Sequence, residues 1–535
     1  MPKLESLLDP HSPEFHANAE AMQAHVDHFR AIEAKVEEAA EAARPRYEKR
    51  GNLMPRDRLN LLLDSGSPFL ELSALAGYKM FDDKDGTGAG AGCIAGIGYI
   101  SGTRAVVIVD NFAIKGGTIS PVGLRKKLRL QEIALENKLP VVTLAQSGGA
   151  NLAHAAEMFV EGGRAFANQA RMSAAGLPQI TVVHGSATAG GAYQPGLSDY
   201  IIMVKQQATT YLAGPPLLKA ATGEVATDEE LGGAEMHTQI SGVGDYLAED
   251  DADGIRIARD ILANLGWQSA HNTNTGFSEP KFSAEELVGV VPADPKQPYD
   301  CREIIARIAD GSDFLDFKPE YDAQTICGHI RIEGQPCGVI ANNGPITAPG
   351  AAKGGQFIQL CEQAGIPILF LHNITGFLVG TDPERNGIIK HGSKMIQAVA
   401  NAKVPKISIN VGGSYGAGNY AMCGRGFDPR FLFSWPNSRT AVMGGAQAGM
   451  VLRIVAEAKM AKAGAVDEAK LTAMEAQTRD MMEAQTSALA STARMEDDGL
   501  IDPRDTRRIL AYVLDICRCA ERRDLNANSF GIARF

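Results

Sequence analysis

Apolar and alanine positions recur at helical spacing through "EAMQAHVDHFRAIEAKVEEAAEAA", with charges between them, and predict helix over residues 13 to 48. The chain then breaks. A short helix starts at Pro55 and ends in a turn. Gly86 to Gly92, "GTGAGAG", is a flexible turn with no strand before it and no helix after it, so it is no dinucleotide fingerprint. From Cys93 the pattern changes. "GIGYI" and "RAVVIVDN" read as paired strands around Ser101-Gly102. "SPVGLRKKLRLQEIALENK" reads as helix with Ser120 as its cap. "LPVVTLAQSGGA" and "PQITVVHGSATAGGAY" read as buried strands that end in Gly-rich turns.

The second half repeats this plan. "ICGHIRIEGQPCGVIANN" matches the paired strands, and "VPKISINVGGSYGAGNYAM" matches the second Gly-rich stretch. Gly185 and Gly412, Gly191 and Gly418, and Tyr193 and Tyr420 share one separation, 227 (412−185, 418−191, 420−193). Pro140 and Pro367, Pro178 and Pro405, and Gly149 and Gly376 share it too. The chain is therefore a duplication of an α/β unit built from β-β-α repeats. The polar stretch "NTNTGFSEPKFSAEELVG" after Trp267 is the expected linker, which gives domains at 1–277 and 278–535.

Composition narrows the function classes. Of 535 residues, 45% are hydrophobic and 21% charged, as in globular proteins. The net charge of −11 and the lack of a long basic run argue against nucleic acid as a partner. No apolar run reaches the length of a membrane span. The start "MPKLESLLDPHSPEF" has neither a signal h-region nor transit-peptide character. The eight cysteines are scattered with no C-x-x-C pair, so neither a disulfide framework nor a metal site is expected; a reducing, cytoplasmic setting is.

A Gly-rich turn between a buried strand and a helix leaves backbone N–H groups unpaired at the positive end of the helix dipole. Such donors can hold an oxygen that gains charge during reaction. Each half supplies two such turns: "SGGA" (147–150) and "TAGGA" (188–192), then "NITGF" (373–377) and "YGAGN" (415–419). Two oxyanion holes suit two carbonyl substrates. An acyl-CoA thioester forms an enolate when the adjacent proton leaves. The urea of biotin gains charge on its oxygen when CO2 departs, and its nitrogen can then take the substrate proton, so no protein base is required. The structural alternative is that these glycines only permit tight helix–strand packing.

These stretches, together with "MPRDRLNLLLDSGSPFLEL", "TTYLAGPPLLKAATGE", "LGGAEMHTQISGVGDYLAEDD", "HNITGFLVG", "HGSKMIQAVA", "AVMGGAQAG" and "DDGLIDPRDTRRIL", carry a resemblance. Over nearly its full length the chain resembles the carboxyltransferase β subunits of biotin-dependent acyl-CoA carboxylases. "LAGPPLLKAATGE" and "FLVG" point to the branch that acts on 3-methylcrotonyl-CoA and geranyl-CoA. The resemblance implies two tandem crotonase-like β-β-α superhelix domains. It implies a β hexamer in an α6β6 complex, with each active site shared between subunits. It also implies a bacterial cytoplasmic enzyme whose partner α subunit carries the covalent biotin and uses ATP and Mg2+. Residue by residue, Gly190 and Gly191 would hold the thioester oxygen, and Ala417 and Gly418 the ureido oxygen. Gly149 and Gly376 would shape or complete the holes.

One stretch departs from the methylcrotonyl pattern. In "EGGRAFANQ", Gly162, Ala165 and Ala167 stand where methylcrotonyl-specific chains tend to carry Phe, Ile and Phe. Smaller residues imply a deeper acyl pocket and favour geranyl-CoA, used in acyclic terpene catabolism, over 3-methylcrotonyl-CoA, used in leucine catabolism; drift with compensating core changes is the other reading. Each extra buried CH2 is worth about 0.8 kcal/mol where space exists. Tyr193 and Tyr420 are expected to pack, and His184 and His372 to be hydrogen-bonded core residues. Lys219 and Lys353 are candidates for CoA phosphates or else solvated, and Arg125, Lys126, Lys127 and Arg129 form a basic helix face. The segment "MMEAQTSALASTARMEDD" is expected to be helical and a subunit contact. A crotonase-type hydratase or isomerase would need acids beside a hole, and neither "SGGANL" nor "TAGGAY" has one. A non-catalytic acyl-CoA scaffold leaves the second hole unexplained, and a sodium-pumping decarboxylase subunit would not be expected to carry the "LAGPPLLKAATGE" block.

Overall fold

The computed structural model describes residues 2–267, 276–294, 297–462 and 464–533; part of the expected linker, 268–275, lies outside them. The first sheet contains β1 (Leu70–Glu71), β2 (Cys93–Ile100), β3 (Thr103–Asp110), β4 (Val141–Ser147), β5 (Gln179–Thr188), β6 (Tyr200–Val204), β7 (Thr209–Tyr211) and β8 (Tyr246–Ala248). Their order is β1-β2-β3-β4-β5-β6-β8, with β7 paired to the far end of β5. The second contains β9 (Leu315–Asp316), β10 (Thr325–Ile332), β11 (Gln335–Asn342), β12 (Ile368–Ile374), β13 (Lys406–Tyr415), β14 (Phe431–Ser434) and β15 (Arg439–Ala441), in the order β14-β13-β12-β11-β10-β9, with β15 on β13. In each sheet the hairpin strands are antiparallel and the later strands parallel. The parallel strands are buried along nearly their whole length, so they read as continuous apolar runs rather than alternating ones.

The duplication holds at the level of single elements. Helix Pro121–Glu136 and helix Ala348–Ala364 start 227 apart (348−121), as do β4 and β12 (368−141) and β5 and β13 (406−179). Ser120 caps the first of these helices and Thr347 the second, each accepting the N–H three residues on. The predicted helix over 13–48 is two: Pro13–Glu41 and Arg44–Glu48. Pro45 has no N–H with which to continue the ladder.

Contacts group the chain into two compact units in a way that differs from a single cut after residue 277. One comprises 31–272, 493–495 and 516–535; the other comprises 1–30, 273–492 and 496–515. Terminal packing explains the exchange. In the second unit the Phe15 ring fills the space against Gly289, where a Cβ would sit 2.2 Å from it, and Pro2 accepts the Phe314 N–H. In the first unit Ala174 accepts from the N–H of Asn528. In the core of the first unit, Ile255, Ala258 and Leu262 of a helix pack on Val107, Val182 and Ile202 of the sheet. In the other, Phe357, Met395 and Val399 pack on Ile340 and Phe370.

The basic helix face is corrected. Of its four cations Lys126 and Arg129 are buried, Lys127 is half-buried and only Arg125 is exposed. Lys126 donates to the carbonyls of Ser73, Gly90 and Cys93. Lys353, its counterpart 227 residues on (353−126), is also buried and donates to the Asp322 carbonyl, so it is neither a phosphate ligand nor solvated. Each ammonium satisfies backbone carbonyls beside the strand pair, which is how a buried cation is tolerated. Lys219 is exposed.

β4 and β12 each shift register one residue before the end, at Gln146 (between Ala145 and Ser147) and Asn373 (between His372 and Ile374). The two bulges are again 227 apart (373−146). Each bulged carboxamide lies against a glycine of the next strand: a Cβ on Gly185 would sit 2.7 Å from Gln146 Nε2, and one on Gly412 2.5 Å from Asn373 Oδ1. The repeated glycine is thus the seat of a bulge side chain. Gly185→Ala should lower unfolding stability by about 1–3 kcal/mol through overpacking, read as a lower urea midpoint at unchanged m-value.

Candidate functional site

Beyond the bulges, β5 and β13 run into the turns that the sequence singles out. The chain reverses at Ala189, φ 53°, and at its counterpart Gly416, also φ 53°. A 3-10 turn, Ala189–Ala192, follows the first, and a short helix, Gly416–Ala421, follows the second. The opening N–H groups of such turns have no partner within the helix. At some helices this chain covers them, with Ser120, Thr227, Asp250 or Thr347, and at others, such as those starting at Pro55 and Pro215, it does not. Here neither Thr188 nor Tyr415 supplies a side-chain cap. Two sets of donors 227 residues apart are therefore left open at the ends of buried strands. Gly190 and Ala417 are exposed, Gly191 is half-buried and Gly418 is buried.

The glycines serve different ends. A Cβ on Gly191 would meet nothing within 4 Å, so its absence keeps the approach to the first turn clear. A Cβ on Gly418 would sit 2.8 Å from Ile374 Cγ1 and 3.0 Å from Gly376 Cα, so Gly418 lets the two turns of the second half close on each other. Gly149 (φ 86°) and Gly376 (φ 125°) carry the other turn of each half. The carbonyl of Gly149 accepts from Ile119 N–H and that of Gly376 from Ile346 N–H. The Gly149 N–H donates to Ser147 Oγ at 3.1 Å. The Gly149 N–H is thus already engaged within its own turn.

The acyl-pocket residues lie on helix Ala155–Ala174. Gly162 and Ala165 are three residues apart and share a face; Ala167 lies about 140° round the helix from Gly162. Gly162 faces open space, since a Cβ added there would meet nothing within 4 Å. Ala165 is buried against Leu124 and Met158. Ala167 is half-buried. The helix therefore does not present all three as one wall. Phe166, one turn after Gly162, is the residue that sequence reasoning missed. Its Cζ stands 4.0 Å from where a Gly190 Cβ would be, and its ring lies 5.7 Å from that of Tyr193. An aromatic at i+4 from the vacated position was the available signal. A cavity of about 410 Å³ opens beside the first turn, lined by Gly148, Thr188, Ala189, Leu212 and Leu217 among others.

Among the described residues that line the cavity beside the first turn, Tyr211 alone has a titratable side chain. His184 is buried, with Nδ1 2.6 Å from Asp251 Oδ1, and Arg58 donates to the other oxygen of that carboxylate. His372 is buried, with Nδ1 2.8 Å from Ser414 Oγ. Burial pushes His184 down to about 4 and His372 to about 3, so both are neutral. They are hydrogen-bonded core residues, as expected. Tyr193 and Tyr420 are each 48% exposed, and Tyr420 stacks on Phe427, so they pack only in part. Among the described residues no group of His, Cys, Asp or Glu is placed to hold a metal ion, and no helix is long and apolar enough to cross a membrane.

Residues 46–529 match the carboxyl transferase domain family. A Mycobacterium tuberculosis chain described as a probable biotin-dependent acyl-coenzyme A carboxylase beta2 subunit is 48% identical over 517 residues, covering 96% of each chain. A second chain from that organism, a biotin-dependent 3-methylcrotonyl-coenzyme A carboxylase beta1 subunit, is 48% identical over 501 residues, covering 92% of this chain and 93% of its own. The crystal structure of the P. aeruginosa geranyl-CoA carboxylase beta subunit superposes with a TM-score of 0.94 at 63% identity, covering 100% of both chains.

The positive φ at Ala189 strains an L-residue by roughly 1–2 kcal/mol. Ala189→Gly should stabilise the protein by about 1 kcal/mol and Gly416→Ala should destabilise it by at least as much, both read from urea midpoints. His372 binds its proton more weakly folded than unfolded, so stability falls as pH drops from about 6.5 towards 3. His372→Gln should flatten that acid limb, as measured by unfolding at stepped pH.

Proposed function

The chain belongs to the carboxyl transferase family of biotin-dependent acyl-CoA carboxylase β subunits, and from that premise we propose that its acyl acceptor is geranyl-CoA. It is a ligase-class enzyme subunit whose two halves are tandem crotonase-like domains. Two features support the substrate. The P. aeruginosa geranyl-CoA carboxylase beta subunit shares 63% of its sequence with this chain. Gly162 faces open space one turn from Phe166, the ring beside the Gly190 turn. That single opening carries the reading, because a geranyl group has five more carbons to bury than a methylcrotonyl group.

Gly190 and Gly191 hold the thioester oxygen. Both acceptors are β-methyl, α,β-unsaturated thioesters. Loss of the γ proton spreads charge through the double bond to that oxygen, where preorganised N–H donors stabilise it. The uncapped N–H groups of Ala417 and Gly418 fit a second acceptor, the ureido oxygen of biotin borne by a partner subunit. That biotin, when bound, supplies the carboxyl group and the nitrogen that accepts the proton, which suits a first turn whose cavity has no histidine, lysine or carboxylate among its described lining residues. The residues of this chain hold the two oxygens, shape the approach and keep it free of competing charge. The partner uses ATP and Mg2+.

A homo-oligomeric β core, hexameric by resemblance, fits the exposed apolar side chains of helix Gly445–Lys462, where Val451, Ile454 and Val455 are about half exposed. Eight scattered cysteines with no C-x-x-C pair fit a reducing bacterial cytoplasm.

Fixation of labelled bicarbonate by the complex of this chain with its biotinylated partner tests the substrate. Geranyl-CoA should give the higher kcat/KM, and Gly162→Phe should lower that value by at least about tenfold while sparing 3-methylcrotonyl-CoA. Turnover of 3-methylcrotonyl-CoA alone would assign the chain to leucine catabolism instead.

A further inference from the structure

The two halves share the strand slip behind each turn and differ in what grips it. From Ala145 to Ser147, two steps along β4 oppose four along β5, from Val183 to Ala187. The same slip recurs 227 residues on (372−145, 414−187), where His372 to Ile374 on β12 opposes Asn410 to Ser414 on β13. In each half the slip sets how far the second strand has run when its turn begins, at Ala189 and at Gly416.

The first slip is gripped by ions. Arg58 Nη1 donates to Gln146 Oε1 on β4 at 2.6 Å. Arg58 Nε and Nη2 donate to Asp251 Oδ2 at 3.0 and 2.9 Å. Asp251 Oδ1 lies 2.6 Å from His184 Nδ1 on β5. One guanidinium and one carboxylate thus join the two strands across the slip. The second slip is gripped by neutral groups. Val411 stands at the place of His184 (411−184 = 227) and offers a carboxylate nothing to hold. Instead His372 Nδ1 lies 2.8 Å from Ser414 Oγ, to which Asn419 Nδ2 donates at 2.8 Å.

The side chains of Arg58 and Asp251 are 0% and 2% exposed, so neither touches a substrate. A buried ion pair adds little stability over well-packed apolar side chains. What a guanidinium fork adds is direction, because its donors are fixed in one plane and serve two acceptors at once.

We infer that Arg58 is a positioning residue for carboxyl transfer to the acyl-CoA. Through Gln146 and Asp251 it fixes the first slip, and with it the N–H donors of Gly190 and Gly191; the donors of Ala417 and Gly418 do not depend on it. This rests on the first turn holding the thioester oxygen.

Arg58→Lys keeps a cation for Asp251 and loses the fork. Gln146→Met keeps the ion pair whole and removes the acceptor, so it guards against misfolding of the first variant. Both are tested in the assembled complex, with whichever of geranyl-CoA and 3-methylcrotonyl-CoA turns over. In each, kcat for acyl-CoA carboxylation should fall at least about tenfold with KM within about twofold, while biotin carboxylation by the partner stays at the wild-type rate. The double variant should lose no more than the worse single one, since both cut the same tie. Amide hydrogen exchange should quicken over residues 184–192 and stay unchanged over 411–419. Wild-type exchange over 184–192 in both variants, equal quickening in the two segments, or additive losses of kcat would overturn the inference. Quickened exchange over 184–192 alone with kcat at the wild-type value would keep the tie and refute the thioester role of the turn.

Discussion

Everything at the two turns depends on a β-bulge whose carboxamide is seated on a glycine of the neighbouring strand. Gln146 against Gly185, and Asn373 against Gly412, fix where the adjacent strands end. Beyond that point Ala189 and Gly416 swing the backbone through positive φ and present uncapped N–H groups. Arg58 Nη1 donates to Gln146 Oε1 at 2.6 Å, tying the first bulge to the buried Arg58–Asp251–His184 cluster. A donor array that must not reorganise during reaction needs such a rigid frame.

The same economy governs charge. Buried Lys126 and Lys353 donate to backbone carbonyls and buried Arg58 to a carboxylate. Buried His184 and His372 are neutral. In the proposed mechanism the turns act through oriented dipoles, which can meet a charge that appears only in the transition state without trapping an anion beforehand.

The 227-residue offset made the strands, the helices between them and all four turns legible in the sequence, because repeated glycines and prolines mark backbone demands that survive divergence. What it could not reveal is where side chains end. "RKKLR" reads as a basic face, yet Lys126 turns inward to carbonyls that lie 33 to 53 residues away in sequence. The strain sits on Ala189, which no glycine-based reading selects. The bulges carry no composition signal, since Gln146 and Asn373 are ordinary polar residues at strand ends. Gly162, Ala165 and Ala167 look alike in sequence, but helix geometry separates them, and Phe166 between them escaped notice. The exchange of chain termini between the units follows from long-range packing such as Phe15 on Gly289.

The central claim is that backbone N–H groups, not side chains, do the stabilising. Ala417→Pro tests it most directly. Proline is tolerated in the first turn of a helix and removes one N–H alone. In the assembled complex, with thermal stability and biotin carboxylation intact, carboxyl transfer to the acyl-CoA should fall roughly 100- to 1000-fold. Transfer at the wild-type rate would contradict the account.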